Sequence, residues 1–339
     1  MKNHLLLFVF SMLLLGSQGC RKTFFEAEPL NQPDAIFEDF WTSFHHNYGP
    51  FSERGVDWQA QYNHFRPLIH AHSTDDELHA VLTEMIATLN DGHVNLTAPD
   101  RPVFNSNRYF NERIDDSLFN LQVIKDHYLV DGFERADEDD YVYGLMPSGI
   151  AYVYFRFVGP NWKAMNEVLE KYPNAKGLIV DLRHNLGGDF TYAFSNMSRL
   201  TDRSRLVFSS KTKIGTAPDA FSLWREWYLE QDGAFWNKKL AVLTDRFTIS
   251  AGERATMAFR TLPNATLVGD TTNGAHSTMI GGELANGWKY TIATQKVLLP
   301  DGKSYEGIGI VPDVAVRNNL PDLQQGKDAV LDKAIEILD

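Results

Sequence analysis

Cysteine is nearly absent from this chain: of its 339 residues only Cys20 is one. That rules out internal disulfides, and no cysteine other than Cys20 is left for ligating zinc or for thiolate catalysis. Positive charge is also short, with 32 Lys and Arg against 44 Asp and Glu and a formal net charge of −12. A nucleic-acid binder needs a basic footprint on the phosphate backbone, so that class is excluded. Long charge runs, low-complexity tracts and internal repeats are missing. So are the HExxH zinc motif, the dinucleotide and P-loop glycine patterns, and the GxSxG nucleophile elbow of ordinary α/β-hydrolases. No metal and no cofactor is expected.

The apolar run Leu5 to Leu15, within MKNHLLLFVFSMLLLGSQGC, is too short to span a bilayer as a helix. Lys2 before it and small residues after it give the layout of a secretory signal. Cys20 sits where a bacterial lipoprotein signal has its lipidated cysteine, with Gln18 making the pattern a loose one; a plain signal peptide with a chance cysteine is the alternative. Residues 1–20 are read as the signal, and acylation of Cys20 would tether the chain to the cell envelope, on its periplasmic or outer-surface side.

The remainder is globular in composition, 43% hydrophobic and 12% aromatic. Residues 21–98 read as a helical domain. IFEDFWTSFHHNYGPF spaces its aromatics as a helix does, and STDDELHAVLTEMIATLNDGH opens on a Ser73 or Thr74 cap and stops near Asn90-Asp91-Gly92. Residues 99–339 read as an α/β core. The first part is strand-like, for example LQVIKDHYLVDG. From Gly149, apolar strands alternate with helices, the pattern of a parallel sheet covered by helices. A hairpin, a short strand and a closing helix are expected at the end. The aromatic stretch FSLWREWYLEQDGAFW (221–236) is expected to form packed helix faces, or else to line an apolar pocket or cover a site as a lid.

In such folds chemistry sits at the carboxyl ends of the strands. Ser250, in TDRFTISAGE, follows an apolar strand and opens a helix. It fits a helix cap completed by Glu253 three residues on. It also fits a nucleophile beside free backbone N–H groups. Gly187-Gly188, after LIVDLRHNL, can bring backbone N–H groups close to a ligand, or can serve only as a flexible turn. His93 emerges past a helix end in NDGHV, His276 in NGAHST is a second candidate base, and Glu306 in YEGIGIVPDV is either an orienting carboxylate or a solvated hairpin acid.

Together LNDGHV, GIAYVYFRF, LIVDLRHNLGGD, LTDRFTISAGE, LVGDTTNGA and EGIGIVPD resemble the carboxyl-terminal-processing serine proteases, a family that includes the tricorn protease core. The likeness runs from about residue 36 to the end. It implies a crotonase/ClpP-like α/β core with an N-terminal helical domain. It implies Ser250 as nucleophile, Ala251 and one of Gly187 and Gly188 as oxyanion donors, His93 as base and Glu306 as its distant carboxylate. A lysine-dyad variant is not implied, because Thr272-Asn273-Gly274-Ala275 lacks the lysine. Gly92 stands where the tricorn-like style has a supporting serine. About 50 residues separate His93 from Gly149, too few for the PDZ domain that many relatives carry. The implied partner is a peptide or unfolded protein. The interphotoreceptor retinoid-binding proteins look like this family and bind hydrophobic ligands, so an inactive binding module on the same fold is the alternative.

Overall fold

In the computed structural model, which describes residues 30–107 and 114–339, the N-terminal region is helical. Cys20 and the signal-like segment lie outside the described residues. Pro33 starts α1 (Pro33–Asn47), at the position where its missing N–H has no intrahelical partner. Then come α2 (Phe51–Arg54), α3 (Trp58–Phe65) and α4 (Asp75–Ala87). Thr74 caps α4 reciprocally: its hydroxyl accepts from Glu77 N–H at 3.3 Å, and the Glu77 carboxylate accepts from Thr74 N–H at 2.8 Å. Asn90, at φ 47°, turns the chain just past α4, so Asp91-Gly92-His93 leaves the helix toward the core. Two short strands follow, β1 (Asn95–Thr97) and β2 (Phe104–Asn105).

The central sheet holds β3 (Phe133–Arg135), β4 (Tyr141–Leu145), β5 (Ala151–Phe155), β6 (Gly177–Asp181), β9 (Lys239–Thr244), β10 (Ala265–Gly269) and β14 (Val314–Ala315). Its order is β14-β10-β9-β6-β5-β4-β3; the pairs from β14 through β5 are parallel, and β4 and β3 are added antiparallel. Alternate residues go to opposite faces. Leu178, Val180, Leu240 and Val242 pack toward α6 (Ala164–Lys171), α7 (Phe190–Asn196) and α8 (Ala251–Arg260). Ile179, Ala241 and Leu243 pack with α5 (Leu121–His127) and α9 (Ala329–Leu338). Burial on both faces is why these strands read as unbroken apolar runs.

Two smaller sheets flank it. One joins β13 (Gln295–Leu298), β7 (Arg205–Thr212) and β8 (Arg225–Leu229); the other joins β11 (Met279–Glu283), β12 (Lys289–Ala293), β1 and β2. The helical region shares its core with this second sheet, since Phe40, Phe44 and Met85 cluster with Trp288, Tyr290 and Ile292. That packing fixes the chain between α1 and β1 against the sheet that contains β1 and β12.

Three local expectations are corrected. LQVIKDHYLVDG is helical over α5, because the Asn120 side chain accepts from Gln122 N–H at 2.9 Å and caps it. The 221–236 stretch is not helical; it contains β8, whose Trp227 ring packs edge-on against Phe190 at 4.9 Å. Among the described residues the tail hairpin is not formed either: β13 pairs with β7, and after the turn that joins Leu299 and Lys303 no strand follows until β14.

Candidate active site

Ser250 sits between β9 and α8 at φ 58°, ψ −118°. A helix N-cap occupies the extended region, and Asp57, Thr74 and Asn120 all do so here. Ser250 does not. Its backbone is held in a conformation that costs a non-glycine residue energy, and such strain gathers at functional positions. The turn is clamped from outside: Ile249 N–H donates to Asn185 O at 3.1 Å, and Gly252 N–H donates to Ile249 O at 2.9 Å. Asn185 is itself pinned, its side-chain amide donating to Phe155 O at 2.7 Å. The loop after β6 and the Ser250 turn are therefore one unit.

That unit places Gly187 against Ser250. A methyl on Gly187 would lie 2.7 Å from Ser250 Cβ and 3.3 Å from Oγ, so only glycine allows this approach. The Gly187 amide is engaged, donating to Asn185 Oδ1 at 3.0 Å. Among the described residues the Gly188 amide has no acceptor, and Ala251, first residue of α8, has an N–H that no intrahelical carbonyl satisfies. Of the two glycines, Gly188 is the one with a donor to offer.

His93 reaches the site on the chain leaving α4. It is 4% exposed, and its own N–H donates to Asp91 Oδ1 at 2.8 Å. The adjacent Gly92 packs on the Ser250 turn: a methyl there would lie 2.8 Å from Ile249 Cδ1 and 2.9 Å from Asn273 Oδ1. The Asn273 carboxamide thus fills the space into which a serine at 92 would project, and His93 Nδ1 is buried without a partner. Burial foremost, then the Arg254 and Arg54 charges, hold the His93 imidazole below its ordinary pKa of 6.5, against the pull of Asp91 and Glu253. No hydrogen bond joins His93 to Ser250 or to Glu306 among the described residues; such contacts are commonly long before substrate binds. Gly92→Ser is expected to overpack this spot, costing about 1–3 kcal/mol and adding no activity. Thermal melts of G92S alone and with Asn273→Gly, which removes one of the two close contacts, check it: stability should recover in part, and only in the double variant.

Glu306 is held elsewhere. Its carboxylate accepts from Arg54 at 2.5 Å and from His276 N–H at 2.9 Å. Arg54, last residue of α2, also donates to Asn90 O at 2.5 Å and Gly274 O at 2.8 Å, and lies 3.6 Å from Asp91 Oδ1. Tyr48 donates to Asp91 Oδ2 at 2.8 Å. Arg54 therefore ties Glu306 to the carboxylate that holds the His93 backbone. Burial and then Asp91 push the Glu306 carboxyl up, with Arg54 and His276 opposing.

His276 is no free base. It is fully buried, with Nε2 3.0 Å from Glu253 Oε1. Glu253 further accepts from Thr272 Oγ1 at 2.6 Å and from the N–H groups of Gly274, Ala275 and Ser250 at 2.7, 2.8 and 3.2 Å. Burial raises this carboxyl, but His276 and the hydrogen bonds outweigh it and bring it to about 2. The predicted capping box is present, with Glu253 bracing the backbone of Ser250, but Ser250 holds backbone angles that no ordinary N-cap adopts.

The match to known families follows the same residues. The model of peptidase family S41 matches residues 149–316, and that of the tricorn protease C1 domain matches residues 29–87. The chain belongs to peptidase family S41. Within S41, it is 27% identical over 179 residues to the carboxy-terminal-processing protease of Bartonella bacilliformis, covering 50% of this chain and 38% of that protein. The chain therefore spans well under half of that relative's length. A putative peptidase from Parabacteroides merdae is similar in structure, with a TM-score of 0.82 and 28% identity over 91% of this chain and 97% of that one. Mature CPAF shares the fold at TM-score 0.69 and 11% identity, over 91% and 97% of the two chains. The fold is the mixed α/β one of these structures, with a largely parallel sheet and an N-terminal helical region.

Proposed function

We propose that this S41 chain is a serine-type peptidase that hydrolyses peptide bonds through an acyl-enzyme, with Ser250 as nucleophile and His93 as base. The observation that carries it is Ser250 itself: strained at φ 58°, on a helix N-terminus, against Gly187. In this mechanism neutral His93 takes the Ser250 proton as Oγ attacks the substrate carbonyl. The Ala251 and Gly188 amides receive the oxyanion, helped by the positive end of α8. His93 then returns the proton to the leaving amine, and water, activated by the same imidazole, releases the acyl group. Arg54, Glu306 and Asp91 position the His93 loop. We further propose the cell envelope as its location, with attachment through lipidated Cys20; incorporation of labelled palmitate that is lost in Cys20→Ala would test this.

A depressed His93 pKa has a readable sign. The base works only when neutral, so turnover of a fluorogenic peptide should hold level from neutral pH downward and fall only below the ordinary histidine value of 6.5. The same proton destabilises the fold: below 6.5 the unfolded chain binds it more readily, so this group's contribution to stability decreases as pH falls. A rate limb centred above 6.5 would remove His93 from the role. The inactive binding module gains support from the unpartnered Nδ1 of His93; serine-directed labelling separates the two readings.

A further inference from the structure

Where the N-terminal helices meet the three-stranded sheet, a cavity of about 280 Å³ is walled by Phe51, Trp58 and Phe221, with Lys213 and Lys296 reaching into it. Lys213, the residue after β7, is only 6% exposed. Its ammonium donates to Ala217 O, and among the described residues it makes no ion pair. Lys296 is already matched, its Nζ 3.1 Å from Glu53 Oε1. Together with Lys211, these ammonium groups lie 4.7, 5.2 and 5.3 Å from the centroid of the Phe221 ring, for Lys211, Lys213 and Lys296 in turn. The ring face offsets part of that charge. Three ammonium groups around one ring are out of keeping with a chain of net charge −12.

The unpaired ammonium selects the ligand. An ammonium has three donors, and Lys213 uses one. Asp57 lines the same cavity and Asp219 acts on the Lys213 charge from a distance, but neither reaches it as an ion pair, so one carboxylate placed on this ammonium supplies the missing direct partner. Burial foremost and then the Lys296 charge hold Lys213 below the ordinary lysine pKa, with Asp219 opposing. A dianion such as phosphate would meet Glu53 beside Lys296. The aromatic walls call for an apolar body, and the volume has room for about one ring and a short acid arm.

We propose that this cavity binds a monocarboxylate with an apolar, ring-sized body, its carboxylate on the Lys213 ammonium and its body against Phe51, Trp58 and Phe221. Binding here does not require Ser250 to be active. The test is calorimetric titration of the full chain in mild detergent with 3-phenylpropanoate, its neutral amide, inorganic phosphate and N-acetylglycyl-phenylalanine. The acid should bind with a dissociation constant on the order of 0.1–1 mM, in line with a ligand of this size. The amide should bind at least about tenfold more weakly, for want of the charge-assisted bond, and phosphate should give no heat. Lys213→Met should erase the preference for acid over amide without lowering the melting temperature, and Lys213→Arg should keep it. Lys213→Gln carries the same expectation should the methionine variant fail to fold. Tighter binding of the acetylated dipeptide than of the free acid assigns the carboxylate to a chain end, and the reverse assigns it to a small acid. Equal binding of acid and amide, phosphate binding as well as the acid, no heat from the acid, or a neutral Lys213 variant that binds the acid like the wild type would each overturn the proposal.

Discussion

Ser250→Gly is expected to give a chain that is more stable than the wild type and turns over no peptide. At φ 58° and ψ −118° a serine is strained by about 1–3 kcal/mol, which glycine does not suffer. Glycine loses about 0.5–1 kcal/mol through its freer unfolded chain, so the net gain is about 1 kcal/mol. Loss of the nucleophile should lower turnover by about 10⁴-fold or more. Ser250→Ala should be equally inactive but without the gain in stability. A structural cap behaves otherwise: Ser→Gly at an ordinary N-cap lowers stability by a few tenths of a kcal/mol, and Ser→Ala by about 1. Thermal melts and peptide turnover on the same three proteins decide between the roles, and a destabilised Ser250→Gly would return the residue to capping.

Arg54→Met should be the most damaging single change in the network. The arginine side chain is 6% exposed, and its partners Glu306 and Asp91 are 2% and 0%. Removing the guanidinium leaves two carboxylates buried near each other with no cation between them, a loss of about 3–5 kcal/mol. The sign with pH follows. The Glu306 carboxyl already lies above its ordinary value with Arg54 opposing the rise; without Arg54 it rises further, so the variant's deficit grows as pH rises and shrinks on acidification. Arg54→Lys, which keeps the charge but not the fork that reaches Glu306, Asn90 and Gly274, should recover part of the stability. Melting curves of all three proteins from mildly acidic to neutral pH check this. A deficit that is independent of pH would mean that Arg54 acts by packing alone.

The parallel core was legible because strands covered on both faces, such as LIVD and LAVLT, must be apolar throughout. The helix α5 was legible in principle from its Asn120 cap, but its mixed polarity hid it. Ser250 was ambiguous for a physical reason. The same Ser-x-x-Glu spacing serves a capping box and the strained turn seen here, and only the backbone angles distinguish them; Glu253 does brace the Ser250 amide. Arg54 left no local sign. It lies in FSERGV, 252 residues from Glu306, and their contact exists only because α1 and α4 pack on the sheet carrying β12. His276 was visible as a titratable residue, yet its burial against Glu253, which removes it from contact with substrate, depends on where the loop after β10 returns over α8. Asn185 stood inside a motif noticed for its glycines, while its own hydrogen bonds hold Gly187 to the Ser250 turn.

The most direct test of the central claim is mass-spectrometric mapping of a fluorophosphonate adduct on the full chain, with Ser250→Ala and His93→Ala run beside it. An adduct on Ser250 that is absent from the first variant and formed far more slowly in the second is the predicted result. No adduct on a folded wild-type chain would contradict an activated serine.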